Sequence, residues 1–538
     1  MCGIWGLLSK QSIQQYGKYY DSFMKLIHRG PEYSTFEKIK PNLLIGFHRL
    51  AIIDTTERGN QPFHLTRKDG SSVFLVCNGE IYNYHKLISD FSLKCESNSD
   101  CEVILHLYNM FGVDKMTRLL DGEFAFIIYD ISKNGQIIMH AGRDPIGVRP
   151  IFYGYDDNSL CVASEIKGLV DIYDKIEVFP PGKIMTYDTN QFNFVTFYEY
   201  IFPKIDTGDD LEIIYSEIRK RLTNAVKKRL ISDREVGFLL SGGFDSSIIC
   251  GIAKKLMPDK KFPVFTIAID DESPDLHYAK IVAKYLDLDH HIIRIEPEEC
   301  LKYLDDTIYA TESFDITTIR CSIPQLIISK YIKEKTNVRV LFCGENADEC
   351  CSGYVGFHFN KDDNKMHQEN IKLVSQVHKF DGKRTDRTMA SNGLEIRLPF
   401  ADPEFVDYYL SVIPKLRMPV NGLEKFLLRQ AFNDTQLLSK DILLRPKNAF
   451  SDAISSREKS WYIIIQNYLN NKITDENFKI EIHKYNHCQP YTKESLYYRQ
   501  KFCEYFSDKS STIIPYFWLQ PFTENKDPSA RSFDIFKD

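Results

Sequence analysis

The chain spaces none of its cysteines for a zinc site or a disulfide framework. Thirteen cysteines lie scattered over 538 residues without a C-x-x-C pair, which excludes a disulfide-stapled scaffold and gives no zinc-type Cys/His spacing. A reducing, cytoplasmic compartment is the expectation. Charge of one sign is also missing. The net charge is −6 and no long basic tract occurs, so neither nucleic acid nor an anionic membrane surface is expected as a partner. No apolar run approaches the roughly 20 residues that span a bilayer. The start of the chain lacks a basic segment followed by an apolar core, so no signal peptide is expected. Repeats and low-complexity tracts are absent as well. The remaining composition, 43% hydrophobic and 26% charged, is that of a soluble globular protein, and the length suits two to four domains.

The most informative residue that is present is Cys2, in the opening Met1-Cys2-Gly3-Ile4-Trp5-Gly6. Once Met1 is removed, Cys2 carries a thiol and a free α-amine. Such a pair is a self-contained nucleophile and base, because the amine can accept the thiol proton directly or through a water. An unperturbed α-amine, with a pKa of about 7.7–8.0, suits proton transfer near neutral pH. A small buried hydrophobe is the bland alternative.

Two halves differ in pattern. Short β-type runs fill the first 200 or so residues: 43–47, 73–77, 124–129, 137–140, 151–153 and 160–163, with a helix-like stretch at 101–110. Close strands separated by turn residues predict an antiparallel α+β layer structure. Residues 202–210 (FPKIDTGDD) read as a linker. Asp209 and Asp210 are placed to cap a helix with Leu211, Ile214, Ile218, Leu222 and Val226 on one face. Strand–helix alternation follows, with strands expected at 236–240, 264–269, 292–295 and 338–342 and helices at 246–256 and 275–285. That alternation predicts a doubly wound α/β parallel sheet, whose ligands bind at the carboxyl ends of the strands. The last 90 or so residues read as helices and loops packed on this second unit. The expected division is 1–201 and 211–538.

Two loops carry chemistry. Ser241-Gly242-Gly243-Phe244-Asp245-Ser246-Ser247 follows the first strand of the second half. Small residues let backbone N–H groups approach phosphate oxygens, and the next helix adds its positive end. Asp245 is placed to hold Mg²⁺ against phosphates. No Walker lysine is present, which excludes a P-loop of the GxxxxGK type. The loop resembles the SGGxDSS pyrophosphate signature of ATP pyrophosphatases. The second loop, Cys343-Gly344-Glu345-Asn346-Ala347-Asp348-Glu349, crowds carboxylates at the same sheet edge. Like charges there call for a metal or basic partner, for which Mg²⁺ and Lys447 are the candidates.

Taken together, the two halves resemble the glutamine-dependent asparagine synthetases over nearly the whole chain. In the first half the resemblance rests on Cys2, His28-Arg29-Gly30-Pro31, Arg49–Asp54 (RLAIID), Asn78–Asn83 (NGEIYN) and Ser99–Glu102 (SDCE). In the second it rests on Ser241–Ser247, Ser273–Leu276 (SPDL), Glu312–Arg320 (ESFDITTIR), Gly344–Glu349, Leu394–Pro399 (LEIRLP) and Arg445–Asp452 (RPKNAFSD). The resemblance implies a class II glutamine amidotransferase domain, an αββα sandwich of the N-terminal nucleophile type, followed by an ATP-pyrophosphatase synthetase domain. It implies that Cys2 attacks glutamine, with the Asn78 side chain and Gly79 N–H as oxyanion hole. Arg49, Glu80 and Asp100 would bind the glutamine backbone groups, with Leu50, Ile52 and Ile53 beside them. ATP would lie against Leu240, Ser241, Gly242, Gly243, Asp245, Ser246, Ile267, Cys343 and Gly344. Asp245 and Asp348 would hold Mg²⁺, Lys447 would stabilise the transferring phosphate, and Glu345 would act as base. Thr317, Thr318, Arg320 and Arg397 are the weaker-marked candidates for aspartate or phosphate. The implied partners are glutamine, aspartate and ATP, and a homodimer is left open. Ammonia made at one site and used at the other calls for a protected passage, since ammonium is not nucleophilic.

The chain departs from the family pattern at three places. Cys350-Cys351-Ser352-Gly353-Tyr354 replaces the usual Phe-Gly-Gly-Tyr continuation, Cys343 stands where Ser is common, and 357–364 (FHFNKDDN) diverges. Two other readings remain open on sequence: a synthetase of the same architecture acting on another carboxylate, and a sensor that lost turnover. ESFDITTIR argues against the first, and intact Cys2 and Glu345 against the second.

Overall fold

The structure, a computed structural model, describes residues 1–198, 208–447, 450–456 and 459–532. Residues 202–207 of the expected linker, and Asn448 and Ala449 of RPKNAFSD, lie outside the described residues.

The first half is two six-stranded antiparallel sheets packed face to face. One runs in the order 176–178, 152–155, 159–163, 3–9, 43–49, 33–40, and the other 192–196, 183–187, 137–143, 122–131, 72–81, 63–66. Their facing side chains, among them Ile4, Ile45, Phe47, Val76, Ile127 and Tyr129, form a continuous buried layer. Helix Tyr16–Met24 covers the outer face of the first sheet through Phe23, which packs with Trp5 and Leu44. Helices Tyr84–Phe91 and Glu102–Leu119 cover the second through Leu87, Val103, Ile104 and Leu107. This is the αββα sandwich expected. Strand Gly3–Ser9 is absent from the sequence reading because all seven residues are buried, so no period-2 alternation marks it. Strand Tyr33–Lys40 is missed for the opposite reason: it is a largely polar edge strand with no buried residue.

Helix Leu211–Arg229 begins at Asp210, whose carboxylate accepts from the N–H groups of Glu212 and Ile213. Ile214, Ile218, Leu222 and Val226 are buried as expected. Leu211 is not: at the first turn it is 41% exposed, ahead of the point where the helix meets its packing partners.

The second half holds a five-stranded, all-parallel sheet in the order 289–294, 263–268, 235–239, 338–342, 395–397. Strand order reverses between Glu235–Leu239 and Val338–Phe342, so a crevice opens beyond their carboxyl ends. The loops 240–247 and 343–349 leave from those two ends. The C-terminal helices Trp461–Lys472 and Lys493–Phe506 pack onto this unit through Trp461, Ile465, Leu469, Tyr498 and Phe502. No helix among the described residues is long and apolar enough to cross a membrane.

Candidate active sites

Strands Gly3–Ser9 and Ser72–Ile81 belong to the two facing sheets, and they bring Cys2 against Asn78. The Cys2 backbone N–H donates to Asn78 Oδ1 at 2.8 Å. This single contact fixes the amide orientation and leaves Asn78 Nδ2 buried without a hydrogen-bond partner. A buried donor of that kind is costly unless something accepts from it. The Cys2 thiol points to Leu50 O at 3.6 Å. Burial, opposed by the neighbouring N-terminal charge, pushes the thiol up to about 11. Burial also lowers the Met1 amine to about 6.

The pocket around Cys2 is lined by Arg49, Leu50, Ile52, Ile53, Gly79, Glu80, Asp100 and Glu395. Arg49 is locked by the loop that follows its strand. Its Nη1 donates to Thr56 O at 2.6 Å and Asn60 Oδ1 at 2.7 Å, and its Nη2 donates to Asp54 O. Three of five guanidinium donors are thereby engaged, and two remain for an anion. Asp100 accepts from the Ile81 N–H at 2.6 Å. Burial carries its carboxyl up to about 7 even against that bond. Glu395 is the unforeseen member, since it comes from the second half of the chain.

At the crevice of the parallel sheet a second cavity is lined by Leu240, Ser241, Asp245, Ser246, Ile267, Thr317, Arg320, Cys343, Gly344, Glu345, Asp348 and Lys447. Gly242 and Gly243 shape the loop at its mouth. Gly242 has φ +68°, and a Cβ there would lie 2.3 Å from Ala279 N, so the turn needs glycine twice over. Asp245 and Asp348 are held by two lysines. Lys447 Nζ lies 2.6 Å from Asp348 and 3.6 Å from Asp245. Lys425 Nζ lies 2.6 Å from Asp245 and 2.5 Å from Asp348. Burial alone would raise the Asp348 carboxyl, but the two ammonium groups hold it well below its ordinary value. Asp245 Oδ1 stays buried and unpartnered.

Glu345 pairs with Arg384 at 3.0 Å, and Arg384 also holds Asp381 at 3.0 Å. Burial raises the Glu345 carboxyl to about 6 against the pull of Arg384. Tyr354 ties the next acidic layer together, donating to Glu349 at 2.9 Å or to Asp381 at 3.1 Å.

Lys425, Asp381 and Arg384 were not among the sequence candidates, and neither was the C-terminal wall of this cavity, Trp518, Gln520 and Ser529. Of the weaker-marked candidates, Thr317 lines the cavity and donates to Trp518 O at 3.4 Å. Arg320 also lines it, but its guanidinium is spent on Glu494 and Asp527. The Thr318 hydroxyl is turned to Asp315 at 2.8 Å within its helix cap. Arg397 does not line the cavity at all. It pairs with Glu395 at 2.8 Å and Glu80 at 3.0 Å, beside the Cys2 pocket. Its strand position explains this: Arg397 is parallel-paired with Phe342 and its side chain leaves toward the first half.

The cysteine departures from the family pattern are absorbed by packing, whereas in 357–364 only Phe357 is buried. Cys350 and Cys351 are fully buried in an apolar cluster. Gly353 sits so close to Asp348 that a Cβ would lie 2.0 Å from Oδ1. Phe357, in the divergent segment, packs on Phe522.

The two pockets share one strand pair. Glu395 at the Cys2 pocket is on the strand hydrogen-bonded to Val338–Phe342, which leads into Cys343, Gly344 and Glu345. The Cys343 N–H donates to Arg397 O at 3.3 Å.

A two-sheet sandwich with a buried thiol pocket, joined to a parallel sheet with a glycine-rich loop at its switch point, defines the two-site architecture of an amidotransferase. Sequence comparison agrees with each half: residues 1–174 match the glutamine amidotransferase domain family, and 217–373 with 360–520 match the asparagine synthase family. The chain is 40% identical over all its length to the glutamine-hydrolysing asparagine synthetase of Gallus gallus, covering 99% of that protein. It is 38% identical to those of Mus musculus and Homo sapiens, again over the whole chain and 99% of each. The chain belongs to the glutamine-hydrolysing asparagine synthetases, carbon–nitrogen ligases with glutamine as amido-nitrogen donor.

Proposed function

We propose that the protein converts aspartate to asparagine through β-aspartyl-AMP, with ammonia drawn from glutamine at Cys2. The observation that carries this reading is the shared strand pair, which joins a thiol pocket to a carboxylate–lysine cavity at a switch point.

At the first site the Cys2 sulfur attacks the glutamine side-chain amide carbon. Its proton passes to the α-amine of processed Cys2 and on to the departing ammonia, leaving a γ-glutamyl thioester that water hydrolyses to glutamate. The unpartnered Asn78 Nδ2 suits the developing oxyanion, with the Gly79 N–H as second donor. The two remaining Arg49 donors suit the glutamine α-carboxylate. Glu80 and Asp100 suit its ammonium group.

At the second site the aspartate β-carboxylate attacks the ATP α-phosphorus and pyrophosphate departs. Ammonia then adds to the acyl carbon, Glu345 takes a proton from the adduct, and AMP leaves. A base with a pKa of about 6 suits that step. Lys447 and Lys425 face the departing pyrophosphate, and Leu240, Ser241, Ser246, Ile267, Cys343 and Gly344 form the nucleotide side. Mg²⁺ fits Asp245 and Asp348, because buried Asp245 Oδ1 lacks a partner there. When bound it supplies charge neutralisation to the phosphates.

A coupled assay tests the reading. Pyrophosphate release must depend on aspartate, and asparagine must form from glutamine. Turnover with another carboxylate and none with aspartate would overturn it.

A further inference from the structure

The sequence holds no zinc-type cysteine spacing, yet folding assembles a cysteine, a histidine and a carboxylate outside both pockets. Cys95 lies in the loop after helix Tyr84–Phe91, and Glu102 and His106 share one face of helix Glu102–Leu119. The donor atoms of all three lie within 4.8 Å of one another. Glu102 Oε1 and His106 Nε2 are 3.2 Å apart. A tetrahedral ion with bonds of about 2.0–2.1 Å sets its N and O ligands roughly 3.3–3.4 Å apart, so this edge is already close to length. With its distances bounded only by that 4.8 Å, the sulfur needs a shift of at most about 1.3 Å to reach its own edge of roughly 3.5–3.6 Å.

We propose that Cys95, Glu102 and His106 form a site for a thiophilic divalent ion of the Zn²⁺ class, with the fourth position left to water. The carboxylate is already oriented for it. Oε1 accepts from the Glu96 N–H at 2.7 Å, and Oε2 accepts from the Ser97 N–H at 2.8 Å and the Ser97 hydroxyl at 2.5 Å. The one lone-pair site left is the one that now faces His106. An ion there replaces the proton between Glu102 and His106 and keeps every outer hydrogen bond, the arrangement that outer-shell partners supply at metal sites. The Cys95 thiol gives up its proton to solvent as the metal–sulfur bond forms. The entrance is open, since the His106 side chain is 19% exposed.

The site braces the segment that leads into the Cys2 pocket. Asn98 N donates to Asp54 Oδ2 at 2.8 Å. Asp54 O in turn anchors Arg49, and Asp100 follows two residues after Asn98. Binding of the ion stands on the three ligands alone. Only its bracing of the glutamine pocket rests on the proposed function.

The test uses the full chain stripped of metal with a chelator, titrated with Zn²⁺ and separately with Co²⁺. Wild type and Cys2→Ala are expected to bind one tight equivalent, and Co²⁺ to give a thiolate charge-transfer absorption. Cys95→Ser and His106→Gln are expected to bind at least 100-fold more weakly, and Cys95→Ser to lose that absorption. Their metal-free melting temperatures are expected to match wild type, which separates lost binding from lost folding. Zn²⁺ is expected to raise the melting temperature of wild type and not of either variant. Equal stoichiometry and spectra in wild type, Cys95→Ser and His106→Gln overturn the proposal, as does the absence of a tight equivalent in wild type.

Discussion

Arg29 donates its Nε–H to the backbone carbonyl of Cys2 at 2.9 Å. The same guanidinium pairs with Glu165 at 2.5 Å and with Asp386 at 2.8 Å. The residue that would attack glutamine is therefore gripped by an arginine with one counter-ion, Glu165, in the first half of the chain and another, Asp386, in the second. Asp386 also touches Arg387, which reaches back to Glu165 and Glu312. The result is a fully buried charged seam between the halves. Breaking a buried pair by removing one partner typically costs about 3–5 kcal/mol.

That seam predicts a cross-domain effect. Asp386→Ala is expected to lower the melting temperature and to impair glutaminase turnover, although Asp386 lines neither pocket. Asp386→Asn is expected to keep more of both. Calorimetry with a glutamate-release assay checks this. Unchanged glutamine hydrolysis in Asp386→Ala would remove the seam from the nucleophile's support.

Cys2→Ala is expected to abolish glutamine use and leave ammonia-dependent asparagine formation intact. Retention of Met1 should act in the same direction. In that form the thiol sits at about 11, and the Met1 amine, at about 6, is largely uncharged at neutral pH. Mass spectrometry of the N-terminus, correlated with glutaminase activity across preparations, checks the second point. Full activity in a Met1-retaining preparation would show that the free amine of Cys2 is not required.

Asn78→Ala is expected to lower glutaminase kcat about 10²–10³-fold, the usual cost of one oxyanion donor. It also removes the acceptor of the Cys2 N–H. Asn78→Asp separates the two functions, because it keeps the acceptor and loses the Nδ2 donor. Steady-state kinetics should place Asn78→Asp near Asn78→Ala in kcat, with a melting temperature nearer wild type.

How much of these sites was visible in the sequence follows from how each is built. The 241–247 and 343–349 loops are contiguous, glycine- and acid-marked, and leave the ends of apolar runs, so both site and sheet could be read. Lys425 could not. It meets Asp245 across 180 residues and stands at a left-handed φ of +55° ahead of a short helix, and neither feature marks a lysine in a sequence. Helix Asp381–Ala390 was hidden differently. It is rich in charge, which ordinarily signals a solvated face, yet it is buried because Asp386 and Arg387 pair across the seam and Arg384 pairs with Glu345 at the second cavity. Arg397 shows the limit of motif carry-over: LEIRLP reads as a motif and not as the strand Glu395–Arg397 that it forms, and its side chain pairs with Glu80 and Glu395 beside the other pocket.

The lysine-clamped carboxylates give the most direct test of the synthetase site. Lys425 is almost fully buried between Asp245 and Asp348, so Lys425→Met removes the charge while retaining much of the bulk. Two carboxylates then face each other with Lys447 alone between them. The expected result is loss of aspartate-dependent pyrophosphate release by 10²-fold or more, with glutamine hydrolysis at Cys2 kept. Gly353→Ala should phenocopy it, since the added Cβ would displace Asp348. A pH series supplies the independent check on the role proposed for neighbouring Glu345. Burial raises Glu345 to about 6, and a base must be deprotonated to act. Asparagine formation from glutamine, normalised to glutamate release, is therefore expected to be level above that value and to fall about tenfold per pH unit below it. Glu345→Gln should lose synthesis at every pH while glutaminase persists. A normalised profile that stays flat to pH 5 would take the proton-accepting role away from Glu345.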